Sequence, residues 1–361
     1  MALPVRQQVT YWSIATVVFL VVLWALGNVI LPFVVGGAVA YFLDPVADRL
    51  QRAGLSRVLS TAIIFVFLIA IVIVSLLVIV PLLIQQTNDL IQSAPDLFNQ
   101  LRSWLTGRFP NLMEDGSPLR QSLGSIGQTI QERGGELLQT VLSSAAGVVN
   151  ILVFLVVAPV VAFYLLLDWD RMVARIDDLL PRDHVHTIRH LAKEIDRTLA
   201  SFIRGQGTVC LILGTFYAAA LMLVGLQFGL VVGLIAGLLT FIPYVGALVG
   251  GVLSIGLALF QFWGDWWMIV IVGAIFQVGQ MVEGNILTPK LVGSSVGLHP
   301  VWLIFALSAF GTLFGFVGML VAVPVAAALG VVVRFVIGQY KDGLLYRGVS
   351  GLVIEPERDD A

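Results

Sequence analysis

Six stretches of this chain, residues 7–43, 58–88, 137–167, 205–264, 266–282 and 291–333, contain no Asp, Glu, Lys or Arg. Roughly 20 apolar residues cross a bilayer as a helix, and all but 266–282 exceed that length. In hydrocarbon no water pairs with the backbone, so each crossing segment must pair its own N–H and C=O groups. A helix does so, whereas the alternating ten-residue segments of an outer-membrane barrel are absent. Composition agrees: 58% of residues are hydrophobic, 12% are charged, and mean hydropathy is +0.98. A soluble domain carries about a quarter charged residues. The fold class expected is therefore all-α, a polytopic integral membrane bundle of about eight spans, with broken or re-entrant helices and a polar helical insertion. Stretch 205–264 has room for about three crossings or for a broken double-length element. Stretch 291–333 crosses twice or forms one long kinked helix, and 7–43 forms two short helices broken near Pro32 and Gly36-Gly37.

Several functions are excluded or left without support. A net charge of −2 gives no basic field for nucleic acid. Cys210, the one cysteine, cannot form an intrachain disulfide. No G-x-x-x-x-G-K-[ST] loop is present for ATP, and no G-x-S-x-G or H-E-x-x-H motif for hydrolysis. The chain reads as a non-enzyme with no cofactor and no metal. His186, His190 and Glu194 share one helix face and could hold a metal. Without a fourth ligand they read as part of an ordinary juxtamembrane helix.

Basic residues in short loops mark the cytoplasmic side. Arg49, Arg52 and Arg57 lie in loop 44–57, and seven basic residues lie in 168–204. The organisation expected is membrane helices in 1–84, an extracytoplasmic helical insertion in 85–143, and a membrane helix in 144–167. A cytoplasmic amphipathic segment follows in 168–204, then a C-terminal membrane core in 205–340 and a tail in 341–361. Both termini are cytoplasmic. The insertion turns between Gly107 and Gly116. It either covers the outer mouth of a pathway or rests as a solvated helix pair on the membrane. Ala38-Val39-Ala40 resembles a signal cleavage site, but the apolar run from Val9 far exceeds a signal core of about 7–15 residues.

Two places could serve a transported solute. Gly225, Gly229, Gly233 and Gly237 recur every four residues, as do Gly246 and Gly250 after Pro243. Small residues at this spacing let helices pack backbone to backbone. Pro243 cannot donate to the helix ladder, so Phe228–Phe260 should be two half-helices meeting at Thr240–Tyr244. Such a break binds substrate in transporters or is a packing kink with no ligand. The second place is Gln277, Gln280 and Glu283, followed by Asn285, Thr288, Pro289 and Lys290. Glu283 and Lys290 either pair near an apolar boundary or meet water in an interfacial loop. Asp44 reads as the cap of a helix starting after Asp44-Pro45. Arg334 snorkels, and Trp263, Trp266 and Trp267 mark a membrane interface.

Some of these residues also carry a family resemblance. Ala40-Tyr41-Phe42-Leu43-Asp44-Pro45, Phe163-Tyr164-Leu165-Leu166-Leu167-Asp168, Phe241-Ile242-Pro243-Tyr244-Val245-Gly246, Glu283-Gly284-Asn285-Ile286-Leu287-Thr288-Pro289-Lys290 and Gly315-Phe316-Val317-Gly318 run in family order. Together they resemble the AI-2E family of bacterial membrane proteins, named for export of the signalling molecule autoinducer-2. The resemblance implies about eight helices, the inner membrane, transport without ATP and homo-oligomers. It does not carry a cargo, since members are assigned autoinducer-2 or, for some, sodium or lithium exchanged for protons. The function expected is export of a small polar organic solute by alternating access. The rivals are a sodium(lithium)/proton antiporter, with Glu283 as the titrating carboxylate, and a non-transporting membrane scaffold.

Overall fold

The computed structural model describes residues 26–108, 145–293 and 297–347, with scattered positions between 10 and 22. The described residues form helices and turns and contain no strand. In chain order the helices are α1 (Gly27–Arg52), α2 (Arg57–Arg108), α3 (Ala145–Asp178), α4 (Val185–Leu223), α5 (Gly229–Leu239), α6 (Val245–Gln261) and α7 (Trp266–Val282). A π-helical segment (Glu283–Val292), α8 (Pro300–Asp342) and a short α9 (Leu344–Arg347) complete the order. Among the described residues, five helices are long and apolar enough to cross a membrane, and α5 and α6 are shorter apolar helices. The protein is thus an all-α membrane protein. Its contacts group 1–171 with 203–293 in one compact unit, and 172–202 with 294–361 in a second.

In the first unit, α1 differs from the expected pair of short helices. It runs unbroken through Pro32, Gly36-Gly37 and Asp44-Pro45. A proline removes one ladder bond, and continuing the helix keeps every other backbone group paired. Gly36 serves close packing instead: a Cβ there would lie 2.6 Å from the Ala158 carbonyl oxygen and 2.8 Å from Val161 on α3. Ala40 and Ala47 of α1, Ile64 of α2, and Ala162 and Leu166 of α3 form one buried cluster.

Charged side chains tie the same helices at one end. Arg57 donates to Asp44 at 3.0 Å, to Asp48 at 3.1 Å and to the Leu166 carbonyl at 2.8 Å. Arg204 of α4 reaches the other Asp44 oxygen at 3.2 Å and the Tyr41 carbonyl at 3.0 Å. Asp44 is therefore not a cap. It lies inside α1 and accepts from guanidinium groups on two other helices.

Helix α2 has 52 residues, about 78 Å at 1.5 Å per residue. That is over twice the roughly 30 Å hydrocarbon thickness, so the helix extends past the apolar stretch into polar sequence. Residues 109–143 of the expected insertion lie outside the described residues.

The segment expected at 168–204 begins within one helix and ends within another. Helix α3 runs through 168 and α4 runs through 204. In the second unit, Arg189 clasps both carboxylate oxygens of Asp177, with Nε–Oδ1 at 2.7 Å. This hydrogen bond holds the Asp177 carboxyl below its ordinary range. His186, His190 and Glu194 are exposed on α4.

Helix α8 reverses at Gly315, where φ is 60° and ψ is −139°. Gly318 then lies against the Phe310 carbonyl, and a Cβ on Gly311 would be 3.0 Å from Met319. The long C-terminal element is a tight local hairpin. His299 caps it, accepting from the Val301 N–H at 3.3 Å, with Pro300 at the first helical position.

The α5 glycines pack on α4. A Cβ on Gly229 would meet the Leu221 backbone at 2.8 Å, one on Gly233 would strike Ala218, and one on Gly237 would strike Gly214. Gly225 is not part of this stripe. It lies in the turn before α5 with φ of +78° and open space around it.

Gly233→Ala or Gly237→Ala must push α5 off α4, and should cost about 1–3 kcal/mol of stability. Gly273→Ala on α7 meets no atom within 4 Å and should leave the thermal midpoint in detergent unchanged. Asp44→Ala removes an acceptor shared by two guanidinium groups that keep Asp48, the Leu166 carbonyl and the Tyr41 carbonyl, and it should cost about 1 kcal/mol in the same assay. Arg204→Ala leaves Asp44 with Arg57 and should cost less.

Candidate functional site

Helix α5 has 11 residues, about 17 Å of helix, half of what a crossing needs. With α6 it makes a hairpin folded at Thr240–Tyr244. The tip closes by short-range bonds: Phe241 N–H to Leu238 at 3.1 Å, Ile242 N–H to Leu239 at 2.9 Å, and Val245 N–H to Ile242 at 3.2 Å. Tyr244 has φ of 68°, a left-handed conformation that non-glycine residues rarely adopt. Its side chain is 58% exposed. Gly246 follows because the chain doubles back on itself. A Cβ there would lie 2.5 Å from the Thr240 backbone.

The buried Thr240 hydroxyl donates to the Ala236 carbonyl at 2.9 Å, and its own carbonyl accepts from Gln206 Nε2 at 2.6 Å. At the opposite end of the hairpin, the Gln261 amide accepts from Gln227 N–H at 2.6 Å and donates to the Gly225 carbonyl at 2.8 Å. Along the side, Gly250 backs onto Ala236 and Phe276, and Gly251 onto Phe276.

Phe276 belongs to α7, whose polar face reaches α4. Tyr217, 1% exposed, stacks on Phe276 with ring centroids 5.1 Å apart. Its hydroxyl donates toward the Phe276 carbonyl at 3.4 Å and accepts from Gln280 Nε2 at 3.2 Å. The same Gln280 nitrogen donates to Glu283 Oε2 at 3.0 Å. Gly279 lies flat against the Tyr217 ring, where any Cβ would strike the phenol.

From Glu283 the helix widens. Residues Glu283–Val292 form a ten-residue π-helix with Pro289 inside it, and Gly293 N–H bonds back to Thr288 at 2.9 Å. A helix, not an interfacial loop, therefore carries Glu283 and Lys290. π-turns are rare and occur mostly as single turns at functional sites. The Glu283–Lys290 pairing does not form: Glu283 is half-buried and bonded to Gln280, and Lys290 is exposed. Asn285, also exposed, donates to the Met281 carbonyl at 2.9 Å. Thr288 is half-buried, and Gln277 is exposed. Among the described residues no hydrogen bond joins Gln277 to Gln280 or Glu283.

The structure thus brings Thr240, Pro243 and Tyr244 together at the tip, and Gln280 of α7 with Glu283 at the start of the π-helix. It adds Gln206 and Tyr217 of α4, which the sequence reading passed over. Both are polar residues inside a charge-free stretch. Counting neutral polar side chains at membrane depth, not only charges, would have flagged them.

The molecule so described is a polytopic α-helical membrane protein with a half-length helical hairpin and polar side chains gathered beside it. Residues 14–338 match the sequence profile described as AI-2E family transporter, and the chain belongs to that family. It is 32% identical over 307 residues to YrrI, a candidate transport protein of Bacillus subtilis (strain 168), covering 84% of this chain and 85% of that one. It is 30% identical over 339 residues to PerM, a candidate permease of Escherichia coli (strain K12), covering 89% and 92%. It is 24% identical over 316 residues to the AI-2 transport protein TqsA of the same organism, covering 88% and 87%. The chain is accordingly a bacterial membrane transporter, working in a lipid bilayer on a small substrate.

Gln280→Met removes the amide that serves both Tyr217 and Glu283. It should lower stability in detergent by about 1–3 kcal/mol. Gln277→Met, at an exposed position outside this network, should stay within about 0.5 kcal/mol.

Proposed function

We propose that the protein exports a small polar organic solute across the bacterial inner membrane by alternating access, without ATP. The observation that carries this reading is the hairpin tip. There a helix breaks inside an apolar body and its freed backbone groups gather beside polar side chains. Irregular backbone at membrane depth is tolerated only where protein buries it or it lines a cavity, and transporters bind substrate at such breaks.

In this reading Thr240, Pro243 and Tyr244 at the tip line the pathway. Gln277, Gln280, Glu283, Asn285, Thr288 and Lys290 line it on α7 and the π-helix. Gly229, Gly233, Gly237, Gly246 and Gly250 form the packing surface on which the hairpin sits. Both termini lie in the cytoplasm, and the chain works as a homo-oligomer. Autoinducer-2 is the first cargo to assay, because the name of TqsA assigns it to that relative.

One observation favours a second reading, sodium(lithium)/proton antiport. The carboxylate of Glu283 is half-buried and accepts a hydrogen bond from the neutral Gln280 amide. A sodium-dependent proton flux in liposomes that Glu283→Gln abolishes would select that reading.

The test compares metabolites released by overexpressing and deletion strains. The overexpressed protein should raise one polar solute outside the cells, and Pro243→Ala and Glu283→Gln should cut that export by about tenfold or more. Folded variants exporting at the wild-type rate would remove these residues from the pathway.

A further inference from the structure

The hairpin tip is held by a side chain that does not belong to the hairpin. The α5 ladder ends at Leu239, and among the described residues no backbone N–H bonds the Thr240 carbonyl, yet Thr240 is only 3% exposed. Gln206 of α4, itself 5% exposed, supplies the donor at 2.6 Å.

The residues around Gln206 fix its base. Arg204 is bonded to the Asp44 carboxylate and the Tyr41 carbonyl of α1. Gly205 presses on the Leu291 carbonyl of the π-helix, where any Cβ would collide. A Cβ on Gly207 would lie 2.8 Å from the Phe42 ring of α1. Thr208 returns a hydrogen bond to the Arg204 carbonyl at 2.8 Å. Within five residues α4 meets α1, the π-helix and the hairpin tip. It cannot shift at Gln206 without disturbing the first two.

From this geometry we infer that Gln206 is a positioning residue for transport: it latches the tip of the α5–α6 hairpin to α4 and lets go when the hairpin moves. The inference rests on the reading of the tip as part of the pathway. The contacts to the hairpin differ in kind. Glycine faces at Gly229, Gly233 and Gly237 give backbone contact without interlocking side chains. Directional side-chain hydrogen bonds come at the two ends, from Gln206 and Cys210 near the tip and from Gln261 at the base. Gln261 belongs to the hairpin, so the bonds from α4 at the tip are the short one from Gln206 to the Thr240 carbonyl and a longer one, at 3.9 Å, from the weak Cys210 thiol donor to the Leu238 carbonyl.

The experiment uses the full-length protein with Cys210→Ser, which keeps a donor toward the Leu238 carbonyl, and a spin label on Tyr244→Cys, in lipid nanodiscs. With Gln206 present the spectrum should be dominated by a slow component. Gln206→Met keeps the length and removes the donor. It should raise the ratio of freed to held tip about fivefold, as expected for loss of one buried hydrogen bond. A label on Val252→Cys, an exposed position of α6, should not respond, which separates unlatching from unfolding. Should the Met variant fail to fold, Gln206→Asn keeps the amide but falls short of Thr240, and the same rise is expected. An unchanged Tyr244 spectrum in either folded variant overturns the latch. Freed labels with unchanged export would overturn its role in transport. Wild-type export by Pro243→Ala would instead remove the pathway reading while the label still reports the latch.

Discussion

A peptide group without a hydrogen-bond partner in hydrocarbon costs several kcal/mol, and three interruptions of regular helix here come with a substitute partner. At the tip of the α5–α6 hairpin, short-range backbone bonds and the Gln206 amide replace the lost ladder. At its base, one glutamine amide accepts and donates across the turn. In the π-helix the ladder is stretched, not broken, and closes with a bond from Gly293 to Thr288. The architecture follows from where such substitutes exist. Helix α4 supplies the packing face of α5, the latch of the tip and the phenol that meets α7.

The class of fold was legible in the charge-free stretches, because that rule depends only on composition along the chain. The break at Pro243 and the α5 face were legible too, since proline chemistry and four-residue spacing are local. What was not legible depended on neighbours. Pro32 and Pro243 are the same residue, yet α1 continues through the first and the chain turns at the second. The difference lies in what surrounds them: Gly36, a turn beyond Pro32, lets α3 approach, whereas Gly246 lets the chain fold back onto Thr240. Gly225 fitted the spacing by coincidence and is a turn residue. Glu283 was matched to Lys290 by charge, but the nearby amide of Gln280 reaches it first.

The Asp44 network was out of reach for another reason. Its partners are far apart in sequence: Arg204 is 160 residues away, and the Leu166 carbonyl is 109 residues from Arg57. Sequence reading could count these charges as markers of a membrane side, but not see that they join α1, α2, α3 and α4. Arginine suits the task because its planar fork serves several acceptors at once. Arg57 does so with two carboxylates, a side-chain amide and a backbone carbonyl. Partial exposure of the pairs limits what each contributes alone. Their value is in fixing helix positions relative to one another.

Backbone-to-backbone packing and terminal hydrogen bonds resist different motions. Glycine faces bring two helices close and gain dispersion energy over a wide contact, which opposes separation. They offer few side-chain knobs in holes, so they oppose sliding much less. The Gln206 bond opposes sliding and depends on a single donor. In the transport reading, an element built this way has a natural two-position behaviour: it stays docked on α4 throughout, and one buried hydrogen bond decides where along α4 it rests. A hairpin locked by interdigitating leucines would have to part from its neighbour before it could move. The glycines of α5 remove that requirement, and the α4 residues they face, Gly214 and Ala218, are small as well.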